Sequence, residues 1–177
     1  MNKPLQKIYF DPYLFFSLFL LSTLGLFFLF SASNSDISIV SKQLVYIVVG
    51  FIIMIVVSQP DPDIFRRTSG LFLIFSLLLL GITYLIGPEI NGAQRWVRVG
   101  PFSFQSSELL KLAVPIFLAN FLFDKKLPIQ RKEIIISLLI IFCCFFFVFR
   151  QPDLGTALII ACSGLFVLFL SGLSWTF

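Results

Sequence analysis

Five polar side chains stand out in an otherwise apolar sequence: Arg95, Gln105, Glu108, Lys111 and Asp153. Glu108 and Lys111 are three residues apart, a spacing that lets the two side chains meet on one helix surface. Both fall in the apolar stretch from Phe104 to Phe123, where an unpaired charge at mid-membrane depth costs about 2.5–3.5 kcal/mol. Pairing lowers that cost, yet two apolar residues would remove it. The pair therefore either locks a helix bundle or faces a polar cavity, and Gln105 extends the same surface. Upstream, Arg95 and Arg98 flank Trp96 and Val97. A guanidinium fork matches phosphate oxygens, so two fixed cations suit a phosphate or pyrophosphate. The same residues equally suit an interfacial belt, where Trp and Arg serve as anchors. Spacing does not separate the two readings. Asp153 follows Pro152 at the start of an apolar run and complements a helix dipole; taken alone, it reads better as a helix-start signal than as a reactive group.

The elements that carry these residues belong to a membrane. The chain has 177 residues, of which 58% are hydrophobic and 12% charged, with a mean hydropathy of +1.00. An ordinary globular domain is about 25% charged, so a soluble domain is excluded as the default. The net charge of +4 is scattered and makes no nucleic-acid footprint. The absence of His removes Ser-His and Cys-His catalysis, His metal sites and His pH switching. Cys143, Cys144 and Cys162 lie inside apolar runs, which argues against disulfide or zinc frameworks. No metal site is expected and no cofactor is indicated. The 24 Phe residues fit lipid-facing positions, because Phe and Leu are both cheap in hydrocarbon.

Uncharged runs of 24, 18, 21, 16 and 24 residues separate Asp11, Asp36, Lys42, Asp61, Arg67, Glu89, Glu133, Arg150 and Asp153. A spanning helix needs about 20 residues. With the Phe104–Phe123 segment this predicts an all-α, polytopic helical membrane protein forming a single membrane domain. Its six spans lie at about 13–32, 40–58, 69–87, 104–123, 133–150 and 154–173. Lys3 and Lys7 with Ser31-Ala32-Ser33 imitate a signal peptide, but the apolar run exceeds the h-region length of about 7–15 residues, so the first span reads as an anchor. With the N-terminus in the cytoplasm, Lys3, Lys7, Arg66, Arg67, Lys125, Lys126, Arg131 and Lys132 share one side and Lys42, Arg95, Arg98 and Arg150 the other. Eight against four favours that orientation. The Pro88–Phe104 connection and the Arg150–Asp153 turn then face outward, and the glycines of the longer connection permit a tight re-entrant path. Pro115 offers a kink that would open space beside Lys111. The small residues Gly155, Ala157, Ala161 and Gly164 offer a close-packing track.

Gly92-Ala93-Gln94-Arg95-Trp96, then Gln105-Ser106-Ser107-Glu108 with Lys111, then Gln151-Pro152-Asp153-Leu154-Gly155-Thr156 resemble the SEDS family of shape, elongation, division and sporulation proteins. The run Ser163 to Trp175 is most similar to its RodA-like, rod-shape-determining branch, and Ser31-Ala32-Ser33 also fits. The resemblance covers essentially the whole chain. It implies a multi-pass protein of the bacterial inner membrane, a glycosyltransferase that polymerises lipid II into peptidoglycan on the outer face during cell-wall elongation. A class B penicillin-binding protein is the implied partner. On this reading Arg95 and Lys111 line an outward cavity and neutralise the substrate pyrophosphate, with Gln105 on the same surface. Glu108 holds Lys111, and Asp153 joins the polar network at the cavity mouth. Cations so placed would stabilise a departing polyprenyl pyrophosphate.

Two departures from the family pattern bear on this. Ser106 stands where the family has Pro, although Ser is itself a good helix-start residue. Family members have about ten spans, and the Asp regarded as catalytic follows the seventh. No catalytic residue is therefore assigned here, and the chain is expected to be the N-terminal portion of such a protein, inactive alone. Two other functions remain open: a non-catalytic membrane partner of the penicillin-binding protein, and a transporter of lipid-linked precursor. The transporter would favour an inverted repeat, and spans 1–3 and 4–6 show none.

Overall fold

The computed structural model describes residues 11–90, 93–100, 102–125, 127 and 129–172. The chain is helical, with two short β-hairpins in one connection. It divides into two compact units, Met1–Asp61 and Pro62–Phe177.

The first unit is a helical hairpin of α1 (Pro12–Ala32) and α2 (Ile37–Ser58). Asp11 starts α1: its carboxylate accepts from the Tyr13 and Leu14 amides at 2.9 and 3.2 Å, and Pro12 occupies the first turn, where no amide partner is needed. Asn34 and Ser35 carry the turn at φ 54° and 64°. Asp36 then caps α2 by accepting from the Ser38 amide at 2.8 Å. Hydrogen bonds from Ser38, hydroxyl first and amide second, hold the Asp36 carboxyl below its ordinary range. Phe15 packs edge-on against Phe51, 5.2 Å between ring centres. Both helices are strongly apolar, and each is long enough to cross a membrane.

The second unit holds α3 (Pro62–Ile86), α4 (Ser107–Phe123), α5 (Arg131–Phe149) and α6 (Leu154–Leu170). The helix α3 begins seven residues before its predicted start. Pro62 opens it, and Asp63 in the first turn pairs with Arg66 at 3.2 Å, so charged residues are accommodated before the apolar run begins. It buries Ser69, Leu73, Ser76, Leu80 and Thr83. This alternating spacing of four and three presents one stripe to a neighbouring helix, and its small polar members allow close approach. The partner is α4, whose Leu110, Ala113, Val114 and Leu118 are fully buried. Ile141, Cys144 and Val148 of α5 and Ala157 and Ile160 of α6 complete that core. Arg66 lies over the Phe123 ring at 4.6 Å, which sets the start of α3 beside the end of α4.

Gly164 shows how closely α6 approaches: a Cβ there would meet Ile141 Cγ1 at 2.6 Å and Leu118 Cδ1 at 3.3 Å. Gly155, at the other end of the small-residue track, has open space around it, so the track packs through Ala157 and Gly164 only in part as expected. Pro115 lies inside α4, whose helical assignment runs through it without interruption. Cys143, Cys144 and Cys162 are free thiols.

The helices α1, α2, α3 and α5 are long and apolar enough to cross a membrane. The apolar α6 has 17 residues; so does α4, which carries Glu108 and Lys111. At about 1.5 Å per residue each of these two rises about 26 Å, slightly less than the hydrocarbon thickness of about 30 Å. Residues 104–106, predicted to begin the fourth span, instead end a strand and its turn.

Candidate functional site

The connection between α3 and α4 builds the site. Gly87 ends α3 by donating its amide to the Thr83 carbonyl at 2.9 Å; a Cβ at that glycine would lie 2.3 Å from the same oxygen, so only glycine fits. The chain then folds into two antiparallel hairpins: β1 (Glu89–Ile90) with β2 (Ala93–Gln94), and β3 (Trp96–Val99) with β4 (Phe102–Gln105). Alternating Trp96, Val97, Arg98 and Val99 fit a strand. Gly100, at φ 61°, supplies the left-handed turn residue that a side chain would resist. Asn91, Gly92 and Pro101 lie outside the described residues, as does Trp175.

This register pairs Trp96 with Gln105, and the Ser106 amide donates to the Arg95 carbonyl at 3.4 Å. Arg95 is thereby held at the entrance to α4. Its Nε is buried and, among the described residues, has no hydrogen-bond partner. Gln105 leaves the end of β4 and donates its side-chain amide to Asp153 Oδ2. The other Asp153 oxygen accepts from the Thr156 amide at 3.2 Å, capping α6. Asp153 therefore starts α6 and also bonds Gln105, so both carboxylate oxygens are engaged. Lys111 Nζ lies 2.7 Å from Glu108 Oε2, with the lysine side chain 25% exposed and the glutamate 50%. The Glu108–Lys111 pair thus forms, the Gln105–Asp153 contact was not anticipated, and Arg98 stays exposed in the second hairpin.

Two further features escaped sequence reasoning. Ser106 and Ser107 are fully buried, and neither hydroxyl has a partner among the described residues. Ser106 makes no side-chain cap to α4, so its expected role as a helix-start residue is not met: its backbone is already helical and its hydroxyl points into the packed interior. Gln151, 2% exposed, donates to the Leu80 carbonyl at 3.2 Å and ties the α5–α6 turn to α3. The signal for Gln151 was available, because a buried amide beside an apolar span requires a hydrogen-bond partner. The burial of the two serines could not be read locally, since it depends on how the second hairpin meets α4.

In chemical terms the site offers two cations, Arg95 and Lys111, one of them held by a carboxylate, on a rigid hairpin–helix junction. The carboxylates present are engaged as acceptors. The charge balance of Arg95, Lys111 and Glu108 leaves a net positive charge suited in sign to an anionic group.

A family of polytopic helical membrane proteins has this form. Residues 11–177 match the FtsW/RodA/SpoVE family, described as cell cycle proteins, and the chain belongs to it. It is 38% identical over 170 residues to the peptidoglycan glycosyltransferase MrdB of Escherichia coli K12, covering 96% of this chain and 46% of that protein. It is 35% identical to the peptidoglycan glycosyltransferase RodA of Treponema pallidum, covering 84% and 35% respectively. Among solved structures, the rod shape determining protein RodA of Thermus thermophilus matches with a TM-score of 0.85 at 28% identity, covering 96% of this chain and 56% of that one. A chain of a peptidoglycan synthase complex that coordinates polymerisation and crosslinking matches with a TM-score of 0.86 at 28% identity, covering 96% and 50%. The chain spans about half the length of the curated relatives it matches. It is a multi-pass bacterial membrane protein.

Proposed function

We propose that this chain supplies the outward-facing, pyrophosphate-binding part of a RodA-like peptidoglycan glycosyltransferase acting on lipid II. The observation that carries this reading is the junction of the second hairpin with α4. There Arg95, whose buried Nε has no hydrogen-bond partner among the described residues, and Lys111, held at 2.7 Å by Glu108, supply two cations. A guanidinium with an unused donor and an ammonium held by a carboxylate suit the charge that develops on a departing pyrophosphate. The chain has six membrane spans, and the protein sits in the cytoplasmic membrane with its N-terminus inside. The excess of Lys and Arg on that side supports this orientation. Its partner is a class B penicillin-binding protein, by analogy with the synthase complex it resembles.

The test is lipid II binding by the purified chain in detergent, with and without salt. Affinity is expected at low salt, falling about tenfold in Arg95→Ala and weakening as salt screens the contact. Turnover is measured separately, with the relatives' second half supplied as a partner polypeptide. Absence of lipid II binding at low salt would overturn the reading and leave a docking role for the penicillin-binding protein. Reporter fusions at Asp124 and Val99 check the orientation: cytoplasmic at the first and external at the second.

A further inference from the structure

A second feature lies between α3 and α5. A groove of about 700 Å³ runs between α3 and the end of α5, and its lining includes Ile74, Leu77, Gly81, Tyr84, Phe146 and Arg150. That volume falls within the range of about 300–1,000 Å³ typical of ligand sites. Its wall is almost wholly hydrocarbon, yet one end is polar: Tyr84 lies in the last turn of α3, Arg150 caps α5, and Gln151 reaches the Leu80 carbonyl there. Arg150 is exposed and, among the described residues, has no ion-pair partner.

Length identifies the occupant. From Ile74 to Tyr84 is ten residues of helix, or about 15 Å at 1.5 Å per residue. The hydrocarbon core of a bilayer is about 30 Å thick, so the groove is one leaflet deep. Its apolar end stops near the bilayer centre and its charged end reaches headgroup level. Tyr and Arg are the side chains expected at that depth, where one face is apolar and the tip is wet. A peptide helix crossing the whole membrane would overrun such a groove, and a water-soluble ligand would not enter it.

We infer that this groove binds one anionic phospholipid, with an acyl chain between α3 and α5 and its phosphate on the Arg150 guanidinium. The site is independent of the pyrophosphate site and of the direction in which the chain is inserted. Gly81 opens into it: a Cβ added there meets no atom within 4 Å, so a larger residue fills the groove without straining α3 and improves its helix propensity. Arg150 supplies the choice of headgroup, and the α3–α5 cleft supplies the hold on the chain.

The test uses the 177-residue chain reconstituted in phosphatidylethanolamine vesicles doped with phosphatidylglycerol bearing a photoreactive diazirine in its acyl chain. After illumination, labelled peptides are mapped by mass spectrometry. Labelling is expected to concentrate on residues 74–84 and 146–150. Gly81→Phe should lower it at least fivefold there, while labelling elsewhere and thermal stability are retained. Arg150→Gln should lower labelling by phosphatidylglycerol about fivefold but leave labelling by the matching phosphatidylcholine probe unchanged. Labelling spread evenly over the exposed faces of α1, α2, α3 and α5 would overturn the inference. So would labelling in the groove that Gly81→Phe does not reduce, or cross-linking of the groove to a second copy of the chain in place of lipid.

Discussion

Removing Glu108 should cost more than removing Lys111, although the two form one ion pair. The pair is close, 2.7 Å, and unequally placed: the lysine side chain is 25% exposed and the glutamate 50%. At an effective dielectric of about 20, two unit charges at that separation attract by about 6 kcal/mol. Most of this is cancelled by lost hydration and lost side-chain freedom, and the half-exposed glutamate keeps part of its water. The net coupling should therefore lie between the 0.2–1 kcal/mol of exposed pairs and the roughly 3–5 kcal/mol lost on breaking buried ones. We expect about 1.5 kcal/mol. Lys111→Ala leaves a carboxylate that water can reach and should cost about 1 kcal/mol; Glu108→Ala leaves the deeper ammonium uncompensated and should cost about 2 kcal/mol. The double alanine variant should cost about 1.5 kcal/mol, less than the two singles combined. Reversible unfolding in mixed dodecylmaltoside and dodecyl sulfate micelles, followed by circular dichroism, measures all four corners of the cycle. Costs that simply add, or a larger cost for Lys111→Ala than for Glu108→Ala, would refute this account.

Three further outcomes follow from other parts of the structure. Gly164→Ala gains helix propensity of up to about 1 kcal/mol but drives a methyl onto Ile141 Cγ1 at 2.6 Å. Overpacking should win, with a net loss of about 1 kcal/mol in the same unfolding assay, largely rescued when Ile141→Ala removes the obstructing atoms. Asp153→Asn should lose well under about 1 kcal/mol, since its one oxygen still caps α6 and the Gln105 amide can turn its own oxygen toward the new Nδ2 in place of the present bond. Asp153→Ala should lose about 1 kcal/mol or more of stability, and equal losses in the two variants would show that the charge itself is required. At the α1–α2 turn, Asp36 titrates below its ordinary range because Ser38 bonds its ionised form. Its contribution is therefore present at neutral pH and lost as acid protonates it through that lowered value. Helix content of the parent, measured against pH, should fall in acid as Asp36 is protonated, and that acid-dependent loss should be smaller in Asp36→Asn, which does not titrate there.

The sequence by itself determined the class of molecule. Uncharged runs long enough to cross hydrocarbon force helices, because a backbone without water must satisfy its own hydrogen bonds. Short-range rules also located Asp153 at a helix start and paired Glu108 with Lys111, since caps and three-residue contacts depend only on neighbours in the chain. The tertiary structure decided what those rules do not reach. Gln105 meets Asp153 across 48 residues, and Gln151 meets Leu80 across 71; no local spacing encodes either contact. Residues 96–99 and 102–105 pair as strands because β-branched and aromatic residues alternate there and Gly100 can take a positive φ. Hydropathy alone registers the same residues only as a connection. Helix order and length were set by transfer from water, but the depth of each polar side chain was set by which helix packed beside it. Inside a membrane apolar faces gain little by choosing one apolar neighbour over another, so the sequence pattern names the helices without naming their partners.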